Sequence, residues 1–216
     1  MNEALMDHCR LDVDLSPKRR AMIDAAEHLF LAHGYEATSM DAVARQAGVS
    51  KATLYAHFTS KDLLFATIVG ERGITQVLDD ADFPEDSDDP RACLTHIGQC
   101  WLEFMMRRRT LAIYRIAVAE SGRFPELGRA FYENGPVRNR DRFARWARSL
   151  RQRGLIEADD LETAAVQFFA LLRGSMFLRA SLAIGSAATE PEITEAVAVA
   201  VDTWLRAFGR RIAPPA

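Results

Sequence analysis

"AGVSKATLYAHFTSKDLLF", residues 47–65, packs two helix starts into a stretch too short for a core helix. Ser50 stands where an N-cap would, directly before Lys51–Phe58. The run Thr59-Ser60-Lys61-Asp62 then has the Thr-x-x-Asp spacing of a capping box, with Asp in place of the usual Glu. Just upstream, "TSMDAVARQAG" shows the same spacing between Thr38 and Asp41, and Gly48 closes that helix after about two turns. A longer helix precedes both: "SPKRRAMIDAAEHLFLAHG", with Ser16 as N-cap, Pro17 at the first helical position and Gly34 as the stop. Ala21, Ala25, Leu29 and Phe30 supply its apolar stripe. A supporting helix followed by two short ones across a tight Gly-containing turn describes a helix-turn-helix.

The spacing also says what the second short helix presents. With Leu54 at the centre of the buried side, Phe58 falls beside it. Ala52 and Ala56 then point outward, flanked by Thr53 and Tyr55, with Lys51 and His57 at the edges. A face that is small in the middle and polar at the rim lets a helix sink into the major groove of DNA.

The segment "GYEATSMDAVARQAGVSKATLYAHFTSKDLLFATI" resembles the DNA-binding domain of TetR-family transcriptional regulators, over about residues 17–68. The resemblance implies roles by position. Thr38 and Ser39 match phosphate-contacting residues, and Lys51, Ala52, Thr53 and Ala56 match positions that face base edges. Tyr55 and His57 match braces of the sugar-phosphate backbone, and Lys61 matches a phosphate-binding lysine. Phosphate contacts set register, whereas base-edge contacts carry the sequence information.

Charge first argues against an anionic partner, since the whole chain carries −3. Residues 1–15 hold net −3, however, and the stretch "DDADFPEDSDD" at 79–89 holds net −7. Setting both aside leaves +7 on the remainder, which suits DNA. Residues 1–15 are expected to form an acidic, disordered tail, and 79–89 a linker or solvated loop. The N-terminus lacks the basic-then-apolar layout of a signal peptide, and no apolar run reaches the roughly eighteen residues of a membrane span. Three cysteines (Cys9, Cys93, Cys100), with no signal peptide, point to the cytoplasm.

Downstream the periodicity is helical throughout, over about 91–109, 111–120, 125–134, 137–153, 160–184 and 190–209. The expected fold is all-α: a helix-turn-helix DNA-binding domain at 16–64 and a helical ligand-binding and dimerisation domain at 65–216. The last two helices are apolar nearly all round, as helices sandwiched between two partners are. The family resemblance implies homodimerisation through them on a palindromic operator in double-stranded DNA. Ala164, Phe168, Leu172, Val197, Val201, Trp204 and Phe208 are the candidate contributors, although periodicity leaves open which stripe faces inward.

The motifs "RFPELGRAFYE-GP" and "FFALLRG" further resemble the AefR-like branch of the family, which fits a repressor. The family implies a small-molecule effector bound in the second region. Trp101, Phe104, Met105, Tyr114, Phe131 and Phe169 are the candidate contacts, with His96, Cys100, Tyr132 and Phe177 as further members, and they suit an apolar or aromatic ligand.

No catalytic residues, cofactor or metal ligands are expected, since no nucleophile triad, paired histidines or phosphate loop is present. Three other readings stay open: a ligand-independent DNA-binding regulator, a DNA-bound adaptor, and a helical metal-dependent enzyme that uses the acidic stretch. Pro84 and Pro90 break the helix that such a metal motif would need.

Overall fold

The computed structural model describes residues 16–72, 78, 80–84 and 87–210. The acidic tail with Cys9, and residues 79, 85 and 86 of the acidic stretch, lie outside the described residues. Ten helices run through the described residues: α1 Pro17–His33, α2 Met40–Gln46, α3 Lys51–His57, α4 Lys61–Arg72, α5 Pro90–Met105, α6 Arg108–Glu120, α7 Pro125–Tyr132, α8 Arg138–Gln152, α9 Leu161–Ser181 and α10 Glu190–Phe208. The only β-pairing among them is an isolated bridge between Ile156 and Gly209.

Two compact units emerge, one from the described part of 1–77 with 112–136, the other from 78–111 with the described part of 137–216. The boundary expected between residues 64 and 65 would cut α4 in its first turn. Leu64, Phe65, Ile68 and Val69 are all buried, and α4 packs on both α1 and α7, so the whole helix and the 112–136 segment join the first unit.

In that first unit Ser16 caps α1 as expected, accepting from the Arg19 amide. The buried stripe of α1 is wider than read: Met22, Ile23 and Ala26 join Ala25, Leu29 and Phe30, whereas Ala21 is half-exposed. Phe30, Tyr35, Phe65 and Phe124 form one aromatic cluster, with Tyr35 centroids 5.2 Å from Phe30, 5.7 Å from Phe65 and 5.2 Å from Phe124. Such spacings suit tilted and edge-on ring packing.

The second unit is built around Trp204, which is fully buried on α10. Its indole N–H donates to the Ala164 carbonyl of α9 at 2.9 Å, and its ring lies 5.6 Å from Phe143 of α8. Gly98 allows α5 to close on α9 and α10, because a Cβ there would sit 3.0 Å from Val197 Cγ1 and 3.2 Å from Leu172 Cδ2. Helix α9 is long and apolar enough to cross a membrane, yet it packs on α8, α10 and α5 in this unit. It kinks at Gly174, whose φ of 45° is a conformation that favours glycine. Between α7 and α8 the chain does not break at Gly135-Pro136 but continues through a π-helical turn, Glu133–Val137.

The acidic stretch is not the solvated linker its charge suggests. Leu78 and Phe83 are buried, and Phe83 packs on Trp146 of α8 at 6.1 Å. Trp146 donates to the Pro84 carbonyl at 3.2 Å, Arg142 to the Leu78 carbonyl, and Arg153 pairs with Asp88. Asp89 caps α5, with Pro90 opening the helix. Asp82, in a 3-10 turn at Asp80–Asp82, bonds His96 of α5 at 2.8 Å. That bond is the main reason the His96 pKa is raised to about 10, with Cys100 the next contributor. Two apolar residues and neighbouring arginines outweigh the charge of the segment and strap it to the helices.

Replacing Trp204 by Ala removes a large buried ring and a buried hydrogen bond together. Urea unfolding should show a loss of about 3–5 kcal/mol.

Candidate nucleic-acid interface

The turn between α2 and α3 requires glycine at one position. Gly48 has φ of 68°, and the bonds Gly48 N–H to Arg45 O (3.2 Å) and Val49 N–H to Ala44 O (3.0 Å) close the end of α2. Ser50 then caps α3, its hydroxyl accepting from the Thr53 amide at 3.1 Å. Leu54 and Phe58 are buried at 0% and 1% exposure and anchor the short helix from one side. Ala52, Ala56, Lys51, Tyr55 and His57 are exposed and Thr53 is half-exposed, which is the face read from the spacing.

Neither expected capping box forms; the Ser one residue later acts as a simple N-cap in each case. Ser39 caps α2, accepting from the Ala42 amide at 3.2 Å, and Ser60 accepts from the Leu63 amide at 3.1 Å. Thr38 is instead buried at 3% exposure, and its hydroxyl donates to the Gly34 carbonyl at 2.8 Å. Of the two residues matched to a phosphate contact at this point, only Ser39 presents its side chain outward.

Lys61, matched to a phosphate-binding lysine, makes its contacts within its own unit. Its ammonium donates to the carbonyls of Tyr35 at 2.7 Å, Thr38 at 3.0 Å and Glu36 at 3.3 Å. It also lies 4.3 Å from the centre of the Tyr35 ring. Three N–H donors meet three carbonyls, so the charge is directed into the fold. Burial lowers the Lys61 pKa, against the opposing pull of Asp62, Glu120 and Glu36. Tyr35 donates to Asp62 at 2.5 Å, and burial, followed by that carboxylate, raises its pKa far above the ordinary phenol range.

Lys51 remains outward and pairs with Asp41, their side chains 65% and 51% exposed. An ion pair this exposed is weak, so the ammonium can exchange its carboxylate for an acceptor on DNA. The pair bridges the start of α3 and the start of α2. The sequence carries no signal for it, since Asp41, three residues after Thr38, has the spacing of a capping box.

The candidate ligand contacts fall into two groups. Trp101, Phe104, Met105 and Phe169 are buried in the second unit, where Trp101 and Phe169 rings sit 5.2 Å apart. Tyr114 and Phe131 belong to the first unit, half-buried, with rings 5.9 Å apart. Phe177 is buried, whereas Tyr132 is 59% exposed. One open cleft of about 460 Å³ lies along α8 and the start of α9, but charged residues such as Arg145, Arg148, Asp159 and Glu162 line it, not these aromatics. Among the described residues, the donor atoms that come together as a metal could use them are those of Asp82, His96 and Cys100.

Two family models match the chain. One describes bacterial regulatory proteins of the tetR family and covers residues 22–68; the other describes the AefR-like transcriptional repressor C-terminal domain and covers 92–210. The chain is similar to the solved structure of the flavonoid-responsive regulator FrrA: 37% identity, TM-score 0.76, covering 90% of this chain and 98% of that one. A TetR-family regulator from Mesorhizobium loti MAFF303099 is 30% identical with TM-score 0.79, covering 89% of this chain and 96% of its own. The HTH-type transcriptional regulator YvkB of Bacillus subtilis (strain 168) is 25% identical over 172 residues, which is 78% of this chain and 86% of YvkB.

Removing the Lys61 ammonium leaves three carbonyls without their donor. Lys61→Ala should lose about 1–3 kcal/mol in urea unfolding. At a temperature where the variant is still folded, the salt dependence of its DNA binding should match the parent's; a shallower dependence would return Lys61 to the phosphate backbone.

Proposed function

Because this chain belongs to the TetR family of bacterial transcriptional regulators, which bind DNA, we propose that it is a homodimeric repressor released from a palindromic operator by a planar aromatic ligand. The observation that carries the DNA-binding part is the outer face of α3. Ala52 and Ala56 keep its centre low, Lys51 and Thr53 can reach base edges, and Tyr55 and His57 stand at the rim. Lysine donates to guanine O6 and N7, and the Thr53 methyl suits a thymine methyl. Ser39 offers a hydroxyl to the backbone from the start of α2. Its site of action is the cytoplasm, with the DNA.

One helix of this length reads few bases, so two copies are needed for useful discrimination. Six of the seven candidate residues for the dimer face are buried in their own chain. Ala164, Phe168, Leu172, Val197, Val201 and Trp204 are 0–1% exposed in the core of their own chain, and Phe208 lies 5.1 Å from Trp204. The opposite side of the same two helices leaves Val166, Leu171, Leu178 and Leu182 of the α9 region and Val199 of α10 39–62% exposed. Apolar side chains grouped on two neighbouring helices suit a matching face on a second copy.

The ligand reading draws on two likenesses: the AefR-like repressor domain over 92–210, and the 37% identity to a regulator described as flavonoid-responsive. Trp101 and Phe169 supply adjoining aromatic faces in the second unit. Ligand binding displaces the operator only if the ligand prefers the conformation that DNA does not.

Selection from random duplexes should return a palindrome, and a panel of flavonoids and other planar aromatics should include one that dissolves the complex. Failure of every compound in both gel shift and thermal shift would leave a ligand-independent regulator. Affinity should fall as salt rises, as it does for proteins that displace counterions from the phosphate backbone. Lys51→Ala should relax preference at one base position by about 1–3 kcal/mol.

Leu178→Glu tests the dimer face, since it places a charge where an apolar contact is needed. The variant should sediment as a folded monomer and lose the palindrome-bound complex. A variant that stays dimeric places the interface elsewhere.

A further inference from the structure

We propose that Asp82, His96 and Cys100 form a binding site for a thiophilic divalent cation, with Zn²⁺ the best match to the donors. The three donor atoms lie within 4.8 Å of one another. His96 and Cys100 are four residues apart on α5, so one face of the helix presents both. Asp82 comes from the 3-10 turn that Phe83 and Trp146 hold down, which fixes the third donor from a separate element.

The distances are near those a tetrahedral ion needs. Bonds of about 2.3 Å to sulfur and 2.0–2.1 Å to nitrogen would set the two ligand atoms roughly 3.5 Å apart. Cys100 Sγ is 3.8 Å from His96 Nε2. The His96–Asp82 separation of 2.8 Å is that of a hydrogen bond and must open by about 0.6 Å to admit the ion. An ion entering here displaces the proton shared by imidazole and carboxylate and the Cys100 thiol proton, and both pass to solvent.

Sulfur, nitrogen and oxygen donors together favour a borderline ion such as Zn²⁺ over Mg²⁺ or Ca²⁺, which prefer oxygen alone. The His96 and Asp82 side chains are 37% and 20% exposed, so an ion can reach the site and water can occupy a fourth position. A simple tether between the 3-10 turn and α5 would need only histidine and aspartate. The thiol lies nearly equidistant from both ring nitrogens, at 3.8 and 3.9 Å, so a turn of the Cys100 side chain must bring the sulfur into line with Nε2 for both to hold one ion.

Titrating the reduced full-length chain with Co²⁺ tests the site independently of DNA binding. One cobalt per chain should bind, with a sulfur-to-cobalt charge-transfer band in the near ultraviolet and visible bands of four-coordinate strength, and Zn²⁺ should bleach both. Cys100→Ser should abolish the charge-transfer band, while Cys9→Ser and Cys93→Ser leave it intact. His96→Gln and Asp82→Asn should each weaken binding by about tenfold or more, with circular dichroism confirming that the helices persist. No charge-transfer band in the parent chain, a band that survives Cys100→Ser, or unchanged affinity in Asp82→Asn would each overturn the proposal.

Discussion

The Lys61 ammonium is the point on which the DNA-binding unit turns. Its three donors meet the carbonyls of Tyr35, Glu36 and Thr38, in the loop between α1 and α2. A loop that joins two helices at the surface would otherwise leave those acceptors to water. The lysine lies over the Tyr35 ring, and Tyr35 packs on Phe30, Phe65 and Phe124 while its hydroxyl donates to Asp62. One residue pair therefore ties α1, α4 and the segment before α7 into a single core. Arg123 adds an ion pair to Glu36 at the rim.

Helix α3 is the element proposed to read the groove. A helix of seven residues has little stability of its own. Leu54 and Phe58, both buried, must hold it in place; α3 packs on α2, and Arg19 of α1 lies over the Phe58 ring. Every other side chain on the helix can then be chosen for what it presents to a groove. The second unit divides its labour the same way. Trp204 and Phe168 hold α9 and α10 to their own chain, which leaves Leu178, Leu182 and Val199 outward for another use.

Much was legible in the sequence because the signals were local. The Ser50 cap, the Gly48 turn and the outward Ala52 and Ala56 follow from spacings within about two turns, and the structure agrees with each; the second-region helices agree less closely, since α5 ends at Met105 and α6 begins at Arg108 where one helix was expected to run to 109. The caps of α2 and α4 slipped by a residue because Thr and Ser stand side by side and either can cap. Choosing between them took Gly34, whose carbonyl claims the Thr38 hydroxyl. The acidic stretch misled through its charge, since the buried Phe83 in it and Leu78 just before it mattered more than seven carboxylates.

By itself, the sequence determined an all-α chain with a helix-turn-helix and the face that its second short helix shows, because helical periodicity and capping are properties of neighbours along the chain. Only the tertiary structure decided that Lys61 points inward, which side of α9 and α10 is spoken for, and that Asp82 meets His96 and Cys100. Each of those depends on groups brought together from separate elements, and a carbonyl, an aromatic face or a carboxylate across a fold leaves no periodic trace in the residues it receives.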